Sequence, residues 1–416
     1  MNHDVSNLLL SIVIPTKNRQ IYAVAAVESV LRLSARNVEI EVIVRDCSDN
    51  NSLCDLLKSK FSDDDRYHYI YDSSKPSMTE NWDLAFSEAR GHYVCGIGDD
   101  DAVLGNILDV VEYMDTNNID CIRQPMVNYF WPGSFLNTHN YSKLVFPKAM
   151  LGSVWLVDTS SFYDAKVEAC GFGYTHELPN VYHAIIKTDI LREHKAFCGH
   201  IFNGTSLDAY SSFAFTKYIK HIAVTDFPFS IHGACPTSNT NRLNQKNKAL
   251  YKIHFDEFSN LEMPDFLPRL LSSDVSVAES MITALNDTGR QNDIKKINLA
   301  YVYGRSAALN LQISFRLYID YLNHRSLSTF KLGFFSAFFH FLSQRIRQEV
   351  IYKSSSAAEY VAPKMWLRFL EKHGNSKRVV CEHISEACDV VEAFLPISIM
   401  APMDASANCG FNKHTI

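Results

Sequence analysis

The stretch MTENWDLAFSEARGHYVCGIGDDDAVL, residues 78–104, decides the fold class. Trp82, Ala85, Phe86 and Ala89 recur at helical spacing. Ser77 with Glu80 three residues on marks the start as a capping box, and Gly91 marks the stop. A strand-like run follows at once, YVCGIG (93–98), and three consecutive carboxylates stand at its carboxyl end. Working outward, LLLSIVI (8–14), EIEVIVRD (39–46), YHYIY (67–71) and DCIR (120–123) are β-branched or aromatic runs of strand length. Between them lie helical patterns at Ala23, Ala26, Val27, Val30 and Leu31, and again over 104–117. Strand and helix in alternation predict a mostly parallel sheet with helices on both faces, an α/β architecture of nucleotide-binding type.

In such sheets ligands bind outside the carboxyl ends of the strands. The first strand ends in Pro15-Thr16-Lys17-Asn18-Arg19, the second in Asp46 with Cys47-Ser48-Asp49-Asn50 behind it, and the fourth in Gly98-Asp99-Asp100-Asp101. Three adjacent carboxylates repel one another. A divalent cation relieves that repulsion, and oxygen ligands with open positions suit Mg²⁺ or Mn²⁺ beside substrate phosphates. The plain alternative is an acidic turn that complements the dipole of the helix beginning near Leu104.

Taken together, SIVIPTKNR (11–19), VIVRDCSDN (42–50) and residues 78–104 resemble, in order and interval, the family-2 glycosyltransferases of the GT-A fold. The resemblance spans about residues 8–235. It implies a GT-A-type sheet and a nucleotide-sugar donor, with UDP-sugar the usual class. Pro15, Thr16, Asn18 and Arg19 would line the nucleotide pocket, Asp46 would hydrogen-bond the base or ribose, and Asn81 would sit on the helix that faces the donor. Asp99 and Asp100 would face the ribose or donor sugar. Asp101, with Asp99 and His232, would hold Mn²⁺ or Mg²⁺. Gly98 stands where many relatives carry a further Asp. CGHIFNGTSLDAYSSF (198–213) resembles the acceptor-side region, where a carboxylate serves as general base. Asp208 is the matching residue, with Leu207 in place of the usual acidic neighbour, and an N-cap role is the alternative. With Asp208 as base the transfer would invert. His232 follows the run HIAVTDFPFSI (221–231), read as one strand, and a structural role competes with ligation there.

The 416 residues carry a formal net charge of −6, with 47% hydrophobic and 21% charged residues, and no global field draws the chain to nucleic acid. Ten cysteines form no CxxC pair, which reads as a reducing cytoplasm. The apolar run Leu8 to Pro15 is too short to span a bilayer and lacks a basic flank, so it reads as a buried strand. Neither a GxxxxGK[ST] loop, a GxGxxG after a strand, a GxSxG elbow nor an HExxH is present, which argues against ATPases, Rossmann dehydrogenases and the corresponding hydrolases. Residues 125–180 have no sustained period. Tyr129, Phe130, Trp131, Trp155, Phe162 and Tyr163 within them suit either sugar stacking or core packing. A strand is expected at 181–187. The polar run 236–248, with Arg242, Lys246 and Lys248, reads as a lid or a linker.

From about 265 the pattern is helical to the end, with candidates at 266–286, 294–323, 327–352, 356–372 and 382–395. Residues 1–260 thus read as the catalytic domain and 261–416 as a helical one. The apolar run at 330–347, flanked by Lys331, Arg345 and Arg347, fits a membrane-surface helix, a bundle core or an oligomer contact. The sequence therefore points to a metal-dependent glycosyltransferase acting on a glycan or lipid-linked acceptor, cytoplasmic or peripheral on the inner membrane face. The alternatives are a catalytically degenerate scaffold of the same fold and a sugar nucleotidyltransferase. The latter should carry a Gly-rich basic phosphate loop, which TKNR (16–19) is not.

Overall fold

A computed structural model of the chain describes residues 8–34, 38–134, 142–173, 177–238, 263–270, 272–324, 333–346 and 376–396. The elements run β1 (Leu8–Thr16), α1 (Gln20–Leu31), β2 (Val38–Asp46), α2 (Ser52–Phe61), β3 (Tyr67–Tyr71), α3 (Met78–Ser87), β4 (Tyr93–Gly96), β5 (Ala102–Val103), α4 (Ile107–Thr116) and β6 (Cys121–Arg123). There follow β7 (Asn128–Phe130), β8 (Ser142–Pro147), β9 (Val154–Asp158), α5 (Ser160–Glu168), β10 (Ala184–Lys187), α6 (Thr188–Cys198), α7 (Leu207–Ala214), β11 (His221–Thr225) and β12 (Ser230–Ala234). The last part holds α8 (Ser273–Asp287), α9 (Leu299–Leu309), α10 (Ser314–His324), α11 (334–346), β13 (Ser376–Cys381) and α12 (Ile384–Glu392).

Eight strands form the main sheet in the order β3-β2-β1-β4-β10-β6-β11-β9. β3, β2, β1 and β4 run parallel, and β10 and β9 run antiparallel to their neighbours. Alternate residues of β1 enter different cores, as the two-residue period of a strand requires. Leu10, Ile12 and Ile14 pack with α1 and α4, and Val13 packs with α3, α7 and the later helices. Burial on both faces explains why these strands read as continuous apolar runs. Pro15 sits in β1 where β4 no longer pairs, since that register ends at Val13 opposite Gly96, so its missing N–H breaks no bond on that side. The capping box of Ser77 and Glu80 is present at the start of α3.

Several boundaries differ from the sequence reading. The run 221–231 is two strands, not one. β11 ends at Thr225, whose hydroxyl accepts the Phe227 N–H, and beyond Pro228 the chain passes to a second sheet of order β13-β8-β7-β12-β5. A proline cannot donate to a ladder, so the strand breaks there. His232 consequently lies within β12, paired in register with Asn128, rather than after a strand. Residues 125–180, read as irregular, supply β7, β8, β9 and α5.

The helices after residue 272 join the main core. Val275, Ala278, Met281 and Leu285 of α8 and Tyr303 and Ala307 of α9 are buried with Tyr210 and Phe213 of α7. α11 approaches α9 so closely that a Cβ on Gly304 would stand 2.6 Å from Ala337 Cβ. Phe334, Ala337 and Phe341 are its buried stripe, and Phe335 and Phe339 are exposed. This described part of 330–347 therefore packs into a helical bundle on one face; the candidate at 356–372 lies outside the described residues. The helical run also contains a strand. β13 adds six residues antiparallel to β8, because SKRVVC is β-branched at its centre and meets an open strand edge.

Behind β13, α12 buries Ile384, Ala387, Cys388 and Val391 against Ala102 and Leu104, beside the acidic triplet. Ile384→Ala should cost about 2–4 kcal/mol, the usual range for truncating a buried aliphatic side chain. Urea unfolding measures it, and a loss below about 0.5 kcal/mol would mean that α12 is not part of this core.

Candidate active site

β1 and β4 are parallel neighbours, so their carboxyl ends meet. Thr16 Oγ1 donates to Asp99 Oδ2 at 2.7 Å, and Arg19 Nη1 donates to Asp99 Oδ1 at 2.8 Å. The other arm of Arg19 donates to the Thr237 carbonyl at 2.7 Å, and Nη1 lies 3.9 Å from Asp100 Oδ1. Asn18, at φ 57°, joins the first two strand ends: its amide donates to Asp49 Oδ2 at 3.1 Å and its side-chain carbonyl accepts the Asp49 N–H at 3.0 Å. Asp46 is wholly buried, with one oxygen taken by the Ser48 N–H and the other by Tyr69 Oη, each at 2.8 Å. Asn81 is buried on α3 below the end of β2. Its Nδ2 donates to the Arg45 carbonyl at 3.4 Å, and its Oδ1 has no hydrogen-bond partner among the described residues.

The three carboxylates of the triplet are all buried, and each is satisfied differently. Asp99 takes Thr16 and Arg19. Asp100 Oδ2 accepts the Cys235 N–H at 2.9 Å, and its main-chain carbonyl accepts Trp131 Nε1 at 3.0 Å. Burial, with Asp101 and Asp99 adding to it, pushes the Asp100 carboxyl up. Asp101 accepts the N–H of Gly98 and of Gly233 and the hydroxyl of Tyr182 at 2.7 Å. Burial works to raise the Asp101 carboxyl, but His183, His232 and Tyr182 outweigh it and hold it well below the usual range. Burial lowers the His232 imidazole, which favours its neutral form.

Asp101, His183 and His232 converge, their potential ligand atoms all lying within 4.8 Å of one another. Nε2 of His183 is 3.0 Å from Asp101 Oδ2 without hydrogen-bond geometry, and Nδ1 of His232 is buried without a partner among the described residues. A buried imidazole nitrogen without a partner, beside a second imidazole and a carboxylate, is costly unless something engages it, and the N₂O donor set fits a divalent transition ion such as Mn²⁺. His183 is held at φ 50°, a conformation that few non-glycine residues adopt, with Nδ1 on Ser230 Oγ at 2.7 Å. Asp99 lies outside this group.

Sequence reading did not single out His183. It precedes β10, which runs antiparallel to β4 with Ile185 opposite Cys95. Only that reversal brings Tyr182 and His183 to the carboxyl end of β4, and no spacing in the sequence announces it. Gly98 has a local reason. A Cβ there would stand 2.9 Å from Asp101 Oδ2 and 3.2 Å from Tyr182 Oη, so the tyrosine hydroxyl fills the side that a fourth carboxylate would enter.

Asp208 is the second residue of α7. Its Oδ1 accepts Ser206 Oγ at 2.7 Å and the Ala209 N–H at 3.1 Å. It is half-buried and close enough that its charge is felt by Tyr182 and His232. Leu207 faces the core at 6% exposure, where an acidic neighbour would be expensive. Trp82 is packed rather than open, stacked on Phe86 at 5.6 Å and edge-on to Tyr182 at 5.9 Å. Tyr129 is buried, and Trp131 is half-buried between it and Tyr22. Arg242, Lys246 and Lys248 lie outside the described residues.

Residues 11–162 match the family described as Glycosyl transferase family 2. Among curated proteins, the chain is 27% identical over 124 residues to the glycosyltransferase GlyG of Streptococcus pneumoniae, covering 29% of this chain and 40% of GlyG. It is 36% identical over 105 residues to the putative colanic acid biosynthesis glycosyl transferase WcaA of Escherichia coli, covering 25% of this chain and 37% of WcaA. The chain thus spans well under half the length of either relative. Among solved structures, S. aureus TarS 1-349 in complex with UDP-GlcNAc aligns at 14% identity and a TM-score of 0.43, over 77% of this chain and 90% of that one.

The close approach of β12 to the triplet generates a prediction. A Cβ on Gly233 would stand 1.7 Å from the Asp100 carbonyl oxygen, against 2.9 Å for the nearest atom at Gly98. Gly233→Ala must therefore move backbone and should destabilise by about 3 kcal/mol or more, the upper range for overpacking. Gly98→Ala should cost clearly less. Parallel thermal and urea unfolding of the two variants compares them, and equal costs would contradict this packing.

Proposed function

We propose that the chain is a metal-dependent glycosyltransferase that moves a sugar from a nucleoside diphosphate donor to a hydroxyl of a glycan or surface-polysaccharide precursor. The observation that carries this reading is the meeting of the acidic triplet with Arg19, His183 and His232 where β1, β4 and β12 converge. The donor class is proposed as UDP-sugar on family grounds. The name of WcaA, a colanic acid biosynthesis glycosyl transferase, supports an acceptor of the polysaccharide type. A lipid-linked acceptor fits the same chemistry.

In this reading Asp101, His183 and His232 hold the divalent ion, which supplies charge stabilisation to the departing diphosphate. Arg19, anchored on Asp99, adds a fixed cation at the same strand end. Thr16, Asn18 and Pro15 shape the turn on which the nucleotide sits, and Asp46, Asn81, Asp99 and Asp100 line its base, ribose and sugar. Asp208 accepts the proton of the acceptor hydroxyl as its oxygen attacks the anomeric carbon. The bond from that carbon to the diphosphate oxygen breaks on the opposite side, so configuration inverts.

Residues 1–260 form the catalytic unit in this proposal, and the described helices after residue 272 share its core. Among the described residues no helix is long and apolar enough to cross a membrane. We place the chain in the cytoplasm on its scattered thiols, nine of which are free among the described residues. Contact with a membrane surface or a second copy would use the exposed face of α11.

Calorimetric titration with UDP, GDP, CDP and dTDP, with Mn²⁺ and then with EDTA, tests the donor pocket. One nucleotide should bind only with metal, and Asp101→Ala should abolish that binding. Asp208→Asn should keep nucleotide affinity within about twofold and lower transfer by about 10²-fold or more, the usual contribution of a general base. Metal-independent binding would remove the ion from the mechanism, and no nucleotide binding by folded protein would favour the scaffold reading.

A further inference from the structure

The segment that leads into Asp208 is held from outside. Asp83 of α3 accepts the N–H groups of Ile201 and Phe202, and Thr79 Oγ1 donates to the Gly204 carbonyl at 2.7 Å. The other supports come from α8. Glu279 Oε2 accepts the Thr205 N–H at 2.8 Å, and Ser280 Oγ accepts the Ser206 N–H at 2.7 Å. Ser280 donates in turn to Glu279 Oε2 at 2.9 Å, and Thr283 donates to Glu279 Oε1 at 2.9 Å. Two turns along the same helix, Asp287 Oδ2 takes Tyr210 Oη at 2.9 Å, Asn203 Nδ2 at 3.1 Å and His200 Nε2 at 3.0 Å.

Glu279 is 1% exposed, and no cation pairs with it among the described residues. An apolar side chain would fill such a position at less cost, because a buried carboxylate is tolerated only when its oxygens are fully hydrogen-bonded. What the carboxylate does here is hold the residue before the N-cap of α7, accepting both the N–H and the hydroxyl of Thr205. Ser206 stands at the N-cap position yet makes no side-chain cap. Its hydroxyl donates instead to Asp208 Oδ1. The N–H groups of Thr205 and Ser206 at this helix entrance are taken by Glu279 and Ser280, which fixes the backbone from which the Ser206 hydroxyl reaches the carboxylate. The approach is close: at Gly204, φ 83°, a Cβ would stand 2.7 Å from Ser280 Oγ and 3.0 Å from its Cα.

We propose that Glu279 and Ser280 are positioning residues for the transfer reaction, holding the entrance of α7 so that Ser206 orients the Asp208 carboxylate. The proposal rests on the reading of Asp208 as the base. It makes α8, from the region after residue 260, part of the catalytic apparatus.

The test uses the full chain and follows UDP release from whichever of UDP-glucose, UDP-galactose and their 2-acetamido counterparts it turns over fastest, with amide hydrogen exchange as a second readout. Glu279→Ala, Ser280→Ala and Ser206→Ala should each lower kcat about 10- to 100-fold, the scale of a small misplacement of a reacting group. The donor KM and the UDP affinity with Mn²⁺ should stay within about twofold, and Glu279→Gln should recover most of the kcat. In the Asp208→Asn background Glu279→Ala should change kcat by less than about twofold, since residues acting as a unit are not additive. Exchange at Thr205 and Ser206 should accelerate about tenfold or more in Glu279→Ala and Ser280→Ala.

Equal losses of kcat and donor affinity in the Ala variants would overturn the proposal in favour of a purely structural role. So would wild-type kcat in these variants when Asp208→Asn is inactive, or unchanged exchange at the two amides. Full activity of Asp208→Asn would overturn the base assignment itself. Should Glu279→Ala fail to fold, Ser280→Ala and Ser206→Ala carry the same comparison.

Discussion

Three consecutive carboxylates buried at the end of one strand are the constraint on which the rest of this site depends. Each would be strongly disfavoured in a protein interior without compensation. The fold compensates them from three directions. Arg19 and Thr16, at the end of β1, take Asp99. The main chain of β12 and the residue after it takes the other two, through the Gly233 N–H on Asp101 and the Cys235 N–H on Asp100. Tyr182 and His183, just before β10, take the remaining side of Asp101. Because compensation comes from elements far apart in the chain, the triplet acts as the joint between the two sheets. β5 follows Asp101 immediately, and it pairs with β12.

The parallel half of this arrangement was legible in the sequence because its signals are local. A buried parallel strand is a short run of β-branched residues, and its functional residues follow directly at its end. Thus Thr16, Arg19 and Asp99 could be named from position alone, and they do meet. The capping box at Ser77 is equally local. The antiparallel half was not legible. β10 and β12 carry residues that matter before or within the strand, and only the reversed direction brings them to the same edge. His183 was missed for that reason, and His232 was placed after a strand that in fact breaks at Pro228. The sequence places Asp99 on the metal, whereas its two oxygens accept from Thr16, the last residue of β1, and from Arg19 three positions beyond it.

The later helices teach the same lesson in another form. Read alone, α8 is an amphipathic helix with Val275, Ala278, Met281 and Leu285 on its buried side, and two of its polar residues, Glu279 and Ser280, look misplaced at that face. Their partners are the backbone groups of Thr205 and Ser206, some 75 residues earlier in the chain. A buried polar residue in an amphipathic pattern is a local inconsistency, and such inconsistencies concentrate where a fold serves chemistry rather than stability alone. The pattern therefore held a signal, although it could not say which backbone was being served.

The division at residue 260 can be reconsidered physically. A boundary between independent units should be crossed by few contacts. Here α8 and α9 share one apolar core with α7 and the main sheet, and β13 extends the second sheet while α12 packs beneath β5. Arg32, the C-cap of α1, reaches both Asp389 and Glu392, and Glu392 accepts the Gly105 N–H just beyond the triplet. Segments from the last third of the chain thus stand on two sides of the site, one behind Asp208 and one behind Asp101. A sheet edge and a helix entrance that would otherwise be open to water are closed by them. The change of pattern near residue 260 marks a change in the kind of secondary structure, and the packing runs across it.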